Sequence, residues 1–284
     1  MDIQIAYYTS INGKLNVCEA PAGNQEFNTL DEASVFLPAG VYTTFRTYSE
    51  QKVLFLAQHF DRLEHSAQLI NTPVHIDRDR LQKILHNELT KFNQPLARIR
   101  ITISSKGEGD YDLFILTTGL KTPDITAYEN GVFTITKKLK RENSVAKVTQ
   151  FIKNTNSIRD DIHGSINEIL MVDEANKLLE GFTSNIFCLT DNEIWTADKD
   201  VLPGITRSAI LQILKKLDIP VHFEGYPIEK LREIGEVFIT STSRSVLPVT
   251  KIDDQIISNG KPGPYTRKIG KEYVEFVERN LEKL

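Results

Sequence analysis

The apolar residues of this chain come in short runs, and the order of those runs restricts the fold more than any other feature. IQIAYYTS, VYTTFRTY and KVLFLAQH are rich in β-branched and aromatic residues and read as strands. From His59 the period becomes helical: HFDRLEHSAQLI places Phe60, Leu63, Ala67 and Ile70 on one face. Asp77 to Phe92 is a second helix, with Leu81, Ile84, Leu85 and Leu89 aligned. RIRITISS and DLFILTTG return to strand around the turn-like KGEGDY. Strands, two helices, then strands again is not the strict alternation of a doubly wound sheet, so the class is α+β. Neither GxGxxG nor GxxxxGK occurs, which argues against a dinucleotide fold or a P-loop.

The polar, turn-rich LKTPDITAYENG closes this first block. We expect a small N-terminal domain over 1–119, a linker over 120–130 and a larger domain over 131–284. A chain of 284 residues suits two modest cores. In the second block VFTITKKL is a strand, and a helix is expected between Val148 and His163. INEILMVD, LLEGFTSNIFCL and EIWTA are strands. EILMVDEANKLLEG has helical propensity too, but Asp-Glu-Ala-Asn-Lys between two apolar runs reads as a hairpin turn. Ser208 to Leu217 is a helix, VFITSTSRSVLPV a strand running into a loop that Pro248 ends, and KEYVEFVERNLEKL an amphipathic helix.

Composition excludes several classes. The formal net charge of −4 provides no basic face for nucleic acid. No apolar run approaches the roughly 20 residues of a membrane span, and the N-terminus lacks a secretory pattern. Cys18 and Cys188 lie far apart, which suits a reducing, cytoplasmic setting. The six histidines show no ligand spacing, so no metal site is expected.

Three stretches of the second block point to chemistry. LPGITRSAILQIL begins a helix with no acidic residue or Asn in its first turn. Thr206 is one candidate cap; the other reading leaves the N–H groups for an anion. LEGFTSNIF ends an apolar strand in Glu180, a carboxylate that is either solvated or partnered. ITSTSRS offers hydroxyls and N–H groups at a strand end.

With ING, GVYTTFR and HFDRLEHSA, these stretches occur in the order found in the class IV aminotransferases, and the chain resembles that family along nearly its whole length. These are pyridoxal-phosphate enzymes of fold type IV: branched-chain aminotransferases, D-amino acid transaminases and aminodeoxychorismate lyases. The resemblance implies two domains, the larger with a β-barrel-like core and carrying the cofactor lysine. It implies pyridoxal 5'-phosphate as cofactor, amino acids and 2-oxo acids as partners, and a homodimer with shared active sites. It assigns the phosphate to Gly204, Ile205, Thr206, Ser241, Thr242 and Arg62, the ring to Leu202, and the ring nitrogen to Glu180, with Asn185 beside it. It also implies transamination through a Schiff base on a lysine. Lys147 and Lys153 stand close together; Lys147 lies where strand gives way to helix and is chosen. Tyr42 matches an aromatic residue that faces substrate in the family. Alternation puts Arg98, Arg100 and Thr102 on one strand face, where an Arg binds a substrate carboxylate or serves a structural ion pair. The D-specific Arg expected near Ser105 is missing, which makes Arg244 another carboxylate candidate. The hydroxyl-rich EGFTSN favours a D-amino acid; a branched-chain L-amino acid aminotransferase and aminodeoxychorismate lyase are the alternatives.

Overall fold

The computed structural model describes residues 3–21, 25–141, 144–159, 161–162 and 164–284. The chain divides into two units: Met1–Lys121 with Ala146–Thr155 and Asn280–Leu284, and Thr122–Val145 with Asn156–Arg279.

The first unit is built on β1 (Gln4–Ile11), β2 (Lys14–Cys18), β3 (Val41–Tyr48), β4 (Lys52–Leu54), β5 (Ala97–Gly107) and β6 (Asp110–Gly119). Its helices are α1 (Leu30–Phe36), α2 (Leu56–Leu69) and α3 (Arg78–Phe92). Side chains alternate across the sheet. Val41, Phe45, Ile99 and Ile101 face a core shared with Leu63 of α2 and Leu85 of α3. Phe114 and Leu116 face Leu30 and Ala33 of α1. KVLFLAQH was expected to be all strand, yet α2 already begins at Leu56. Phe55 adopts the left-handed conformation, φ 53°, and breaks the strand there.

In the second unit α4 (Ile125–Asn130) lies within the stretch expected to be a linker. Its Ala127 and Tyr128 pack on this unit's core, so the stretch is structured. Six strands close into a ring: β7 (Val132–Lys138), β8 (Ile166–Val172), β9 (Lys177–Gly181), β10 (Asn185–Thr190), β14 (Glu236–Ser241) and β15 (Ser245–Ile252). The ring runs β10–β14–β15–β7–β8–β9 and back to β10 through one pair, Asn185 with Glu180. This is the barrel-like core that the family resemblance implied. β8 and β9 form the expected hairpin. β11 (Glu193–Trp195), β12 (Val221–His222), β13 (Tyr226–Pro227) and β16 (Gln255–Ile256) extend the sheet. α6 (Ile205–Lys216) and α7 (Pro264–Arg279) complete the unit.

Two expectations need correction, at Pro248 and at the C-terminus, and one helix is shorter than its expected limits. The stretch around Pro248 is not a loop that Pro248 ends. Pro248 lies inside β15 opposite Phe238, and pairing with β7 starts one residue later, at Val249. The helix expected between Val148 and His163 is α5 (Thr149–Arg159), and His163 lies outside the described residues. The last residues are not helical: β17 (Leu281–Lys283) pairs with β4 and returns to the first unit.

The segment Ala146–Thr155 also groups with the first unit, so Lys147 does not belong with the larger unit as expected. The cause is backbone pairing. Val148 bridges Val41, Tyr42 N–H donates to the Lys147 carbonyl at 2.8 Å, and Thr149 N–H donates to Gly40 at 2.9 Å.

Candidate active site

In the second unit, helix α6 starts without a side-chain cap. Its N-cap is Gly204, no acidic residue lies in its first turn, and Thr206 falls inside the helix. Thr206 is therefore not the cap that one reading made it, and the N–H groups of the first turn find no side-chain acceptor at the N-cap. A Cβ at Gly204 would come within 2.2 Å of Asn185 Oδ1 and displace that side chain. The same Asn185 donates to the Leu202 carbonyl at 3.0 Å, which ties the approach to α6 to the barrel seam.

Glu180 is only 2% exposed, so the solvated-strand-end reading fails. Its Oε2 accepts from Asn185 Nδ2 and from the Leu202 N–H, each at 3.1 Å. Its Oε1 lies 3.1 Å from Arg141 Nε, and Arg141 is itself buried. A buried carboxylate held by two donors and an arginine is a fixed, directed acceptor. Ser241 and Thr242 lie half-buried at the end of β14. Next to them Thr240 Oγ1 is buried with no hydrogen-bond partner among the described residues.

In the first unit, α2 presents Arg62 and His59 one turn apart. Arg62 Nη2 donates to Thr43 Oγ1 at 2.5 Å, and Thr43 Oγ1 lies 2.7 Å from His59 Nδ1. Arg62 Nε is buried without a hydrogen-bond partner among the described residues. Burial pushes the Arg62 guanidinium down to about 10, which leaves it charged at neutral pH. Burial, with the charges of Arg62 and Lys147, holds His59 well below the usual imidazole value, so it is neutral. A neutral ring whose Nδ1 accepts suits a Thr43 hydroxyl that accepts from Arg62 and donates to His59. The Lys147 ammonium lies 4.7 Å from the Tyr42 ring centroid, and its backbone N–H donates to Ser66 Oγ at 3.2 Å. Lys153 is half-buried inside α5.

The arginines expected to hold a carboxylate differ in their surroundings. Arg100 is 3% exposed and its donors go to Thr44, Leu30, Ser34 and Asp31, the last at 2.7 Å. Arg98 is half-buried and pairs in register with Arg46, on the strand face that carries Tyr42. Arg244 Nη1 donates to Glu168 at 2.7 Å and Thr183 at 2.8 Å.

Sequence reasoning missed His59, Arg141 and Glu168. The spacing of His59 from Arg62 was a usable signal, as was an acidic residue in the apolar run INEILMV. Arg141 sits among the basic residues of KKLKR and carries no signal at all.

The profile of the amino-transferase class IV family matches residues 40–252. A probable branched-chain-amino-acid aminotransferase of Thermotoga maritima is 29% identical over 253 residues, 87% of this chain and 89% of that one. A D-alanine aminotransferase of Listeria monocytogenes is 26% identical over 260 residues, 84% and 87% of the two chains. The crystal structure of a putative branched-chain amino acid aminotransferase from Thermotoga maritima superposes with a TM-score of 0.74 at 25% identity, covering 96% of each chain. The T.th. branched-chain amino acid aminotransferase, complexed with N-(5'-phosphopyridoxyl)-L-glutamate, superposes at 0.78 with 20% identity and 98% coverage of each. The matched span covers most of the chain, reaches into both units and includes every candidate residue described above, and on that ground the chain belongs to the class IV aminotransferases.

Proposed function

We propose that this aminotransferase moves an amino group between a D-amino acid and a 2-oxo acid, with Lys147 as the lysine that joins the cofactor. Pyridoxal 5'-phosphate is the cofactor of the family. When bound it supplies a carbonyl that takes up the amino group and a ring that draws electrons from the substrate's Cα. The residues present fit it. The uncapped start of α6 at Gly204, Ile205 and Thr206 suits a phosphate. Ser241, Thr242 and Arg62 add hydroxyls and a charge of the right sign. Glu180, held by Asn185, Leu202 and Arg141, offers a directed acceptor to a pyridine N–H. Leu202 supplies an apolar surface for the ring.

Lys147 takes the proton from the substrate's Cα and returns it during transfer, a task for an amine beside the reacting carbon. Tyr42 buries one side of its ammonium. For the substrate carboxylate, Arg98 is the stronger candidate of the strand pair, because Arg100 is committed to Asp31 and α1. A homodimer is part of this proposal, with the apolar SVFLPAGVY segment as the expected contact; light scattering that gave an active monomer would exclude it.

The carrying observation for aminotransfer is the buried, directed Glu180 in the unit that also leaves α6 uncapped. The D-preference rests on the hydroxyl-rich EGFTSN turn and on relatives such as the Listeria enzyme. The similarity to the Thermotoga maritima enzyme favours a second reading, a branched-chain L-amino acid substrate. A half-reaction screen separates them: spectral change of the holoenzyme with D-alanine and D-glutamate but not L-leucine supports the first. The reverse pattern establishes the second.

A further inference from the structure

Twelve residues before Glu180 lies a second buried carboxylate that the proposed chemistry leaves unused. Glu168, on β8, is 0% exposed. Its Oε1 accepts the Ile169 N–H at 3.1 Å. Its Oε2 accepts from Thr183 N–H at 3.2 Å, Thr183 Oγ1 at 2.7 Å, Ser184 Oγ at 3.0 Å and Arg244 Nη1 at 2.7 Å. Arg244 also donates to Thr183 Oγ1 and to the Asn167 carbonyl, and its own carbonyl accepts from Tyr128. Burial on its own would raise this carboxyl; the Arg244 charge with the Thr183 and Ser184 hydroxyls outweighs it and holds Glu168 below the usual range.

The partners of Glu168 come from two turns. Residues 182–184 connect β9, which ends at Gly181 next to Glu180, to Asn185 at the start of β10, and Glu180 and Asn185 form the pair that closes the barrel. Residues 242–244 connect β14 to β15 and carry Thr242, directly after Ser241. The first turn sits so close on the carboxylate that a Cβ at Gly181 would lie 2.3 Å from Ser184 Oγ and 2.8 Å from Glu168 Cγ. A buried ion pair is weak evidence for stability in itself, because desolvation offsets much of its attraction. Its effect here is geometric: one carboxylate and one guanidinium set the spacing of two turns.

We propose that Glu168 and Arg244 are positioning residues. Together they lock the turn that follows the ring-nitrogen acceptor on β9 to the turn that follows Ser241 on β14 and carries Thr242. This rests on the reading that Glu180 holds the ring nitrogen and Ser241 and Thr242 the phosphate. Catalytic groups must be held to a fraction of an ångström by their surroundings, and two turns tied to the same carboxylate meet that need. Arg244 then acts on the cofactor through Thr183 and Glu168, and not on the substrate carboxylate.

The test uses holoenzymes of wild type, Arg244→Met, Arg244→Lys and Glu168→Gln. It reads the rate of cofactor release into an excess of trapping apo-enzyme, kcat, the KM for the best amino acid, and the unfolding temperature of the apo-protein. Arg244→Met is expected to release cofactor at least tenfold faster and lower kcat several-fold, with KM changed less than threefold. Arg244→Lys should recover part of the cofactor retention. Glu168→Gln, if it folds, should resemble Arg244→Met. A tenfold rise in KM with unchanged cofactor release would overturn the proposal and give Arg244 to the substrate. A lowered apo unfolding temperature with wild-type cofactor release would reduce the pair to a structural role, which also overturns it. Glu180→Gln is measured alongside. Should it keep full turnover, the reading of Glu180 fails. Should it lose turnover while the Arg244 variants behave as wild type, only the positioning role fails.

Discussion

Arg62 and Arg100 reach neighbouring threonines of β3, Thr43 and Thr44, whose side chains leave the strand on opposite faces. On one face Arg62 meets only neutral groups among the described residues, a hydroxyl and an imidazole. On the other, Arg100 meets the Asp31 carboxylate at 2.7 Å, along with the Leu30 carbonyl and Ser34 hydroxyl of α1. A guanidinium paired with a carboxylate has its charge cancelled and serves the fold. One held by neutral partners is oriented with its charge uncompensated, which is what the proposed phosphate role of Arg62 requires. The environment of an arginine, more than its presence in a motif, therefore separates a ligand-binding role from a structural one.

Among the charged residues of the proposed site, the largest effect is expected at Lys147. Lys147→Ala should fold, lose covalent attachment of the cofactor, and lose about a thousandfold or more in turnover. Lys153→Ala should remain active. Borohydride reduction followed by peptide mapping checks this directly, and label on Lys153 would reverse the assignment. Glu180→Gln comes next. It keeps an acceptor of the same shape but loses the charge, so cofactor should bind while turnover falls about a hundredfold, roughly 2.8 kcal/mol of barrier. Near-normal turnover would remove Glu180 from the ring nitrogen.

The third prediction tests the pair of arginines itself. Arg62→Ala should weaken cofactor binding tenfold or more, since a hydrogen bond to a charged group contributes about 1.5–3 kcal/mol. It should hardly change the unfolding temperature of the apo-protein. Arg100→Ala should do the opposite: the Leu30 carbonyl and Ser34 hydroxyl lose a buried donor, which costs about 1–3 kcal/mol of stability, while the folded fraction binds cofactor normally. Titration of cofactor into each variant, beside thermal melts, reads both quantities. Similar outcomes for the two variants would end the comparison.

What the sequence revealed follows the same line between local and distant causes. Strands β3, β5 and β6 and helices α2, α3 and α6 were legible because each sets its own hydrophobic period. The β8–β9 hairpin was legible because its turn lies between two apolar runs. The start of α2 was misjudged because a left-handed aromatic, Phe55, has no sequence signature. β17 was missed because its partner β4 lies more than 200 residues away. Lys147 was assigned to the other unit because three backbone contacts with Gly40, Val41 and Tyr42 fix it, and no side-chain pattern reports them. Among the arginines the motif gave positions, but Asp31 beside Arg100 and Glu168 beside Arg244 are brought in by topology. Chemical role depends on those partners, so it was the less legible part.

The smallest expected effect concerns His59, which decides whether the partners of Arg62 stay neutral. Its folded value lies well below 6.5 and its unfolded value close to 6.5. As pH falls through 6.5, the unfolded chain takes up a proton that the folded chain refuses. Stability is thus fully present above about pH 6.5 and declines below it, by up to about 1.4 kcal/mol per pH unit for one proton. His59→Asn keeps an acceptor near the position of Nδ1 but cannot titrate, so its stability should fall less steeply over the same interval. The difference between the two slopes isolates His59, because the carboxylates that titrate lower are common to both proteins. Chemical denaturation of the apo-proteins between pH 7 and 5 measures it. Parallel slopes would mean that His59 accepts its proton in the folded state. Arg62 would then face a second cation, and the neutral cradle that distinguishes it from Arg100 would not exist.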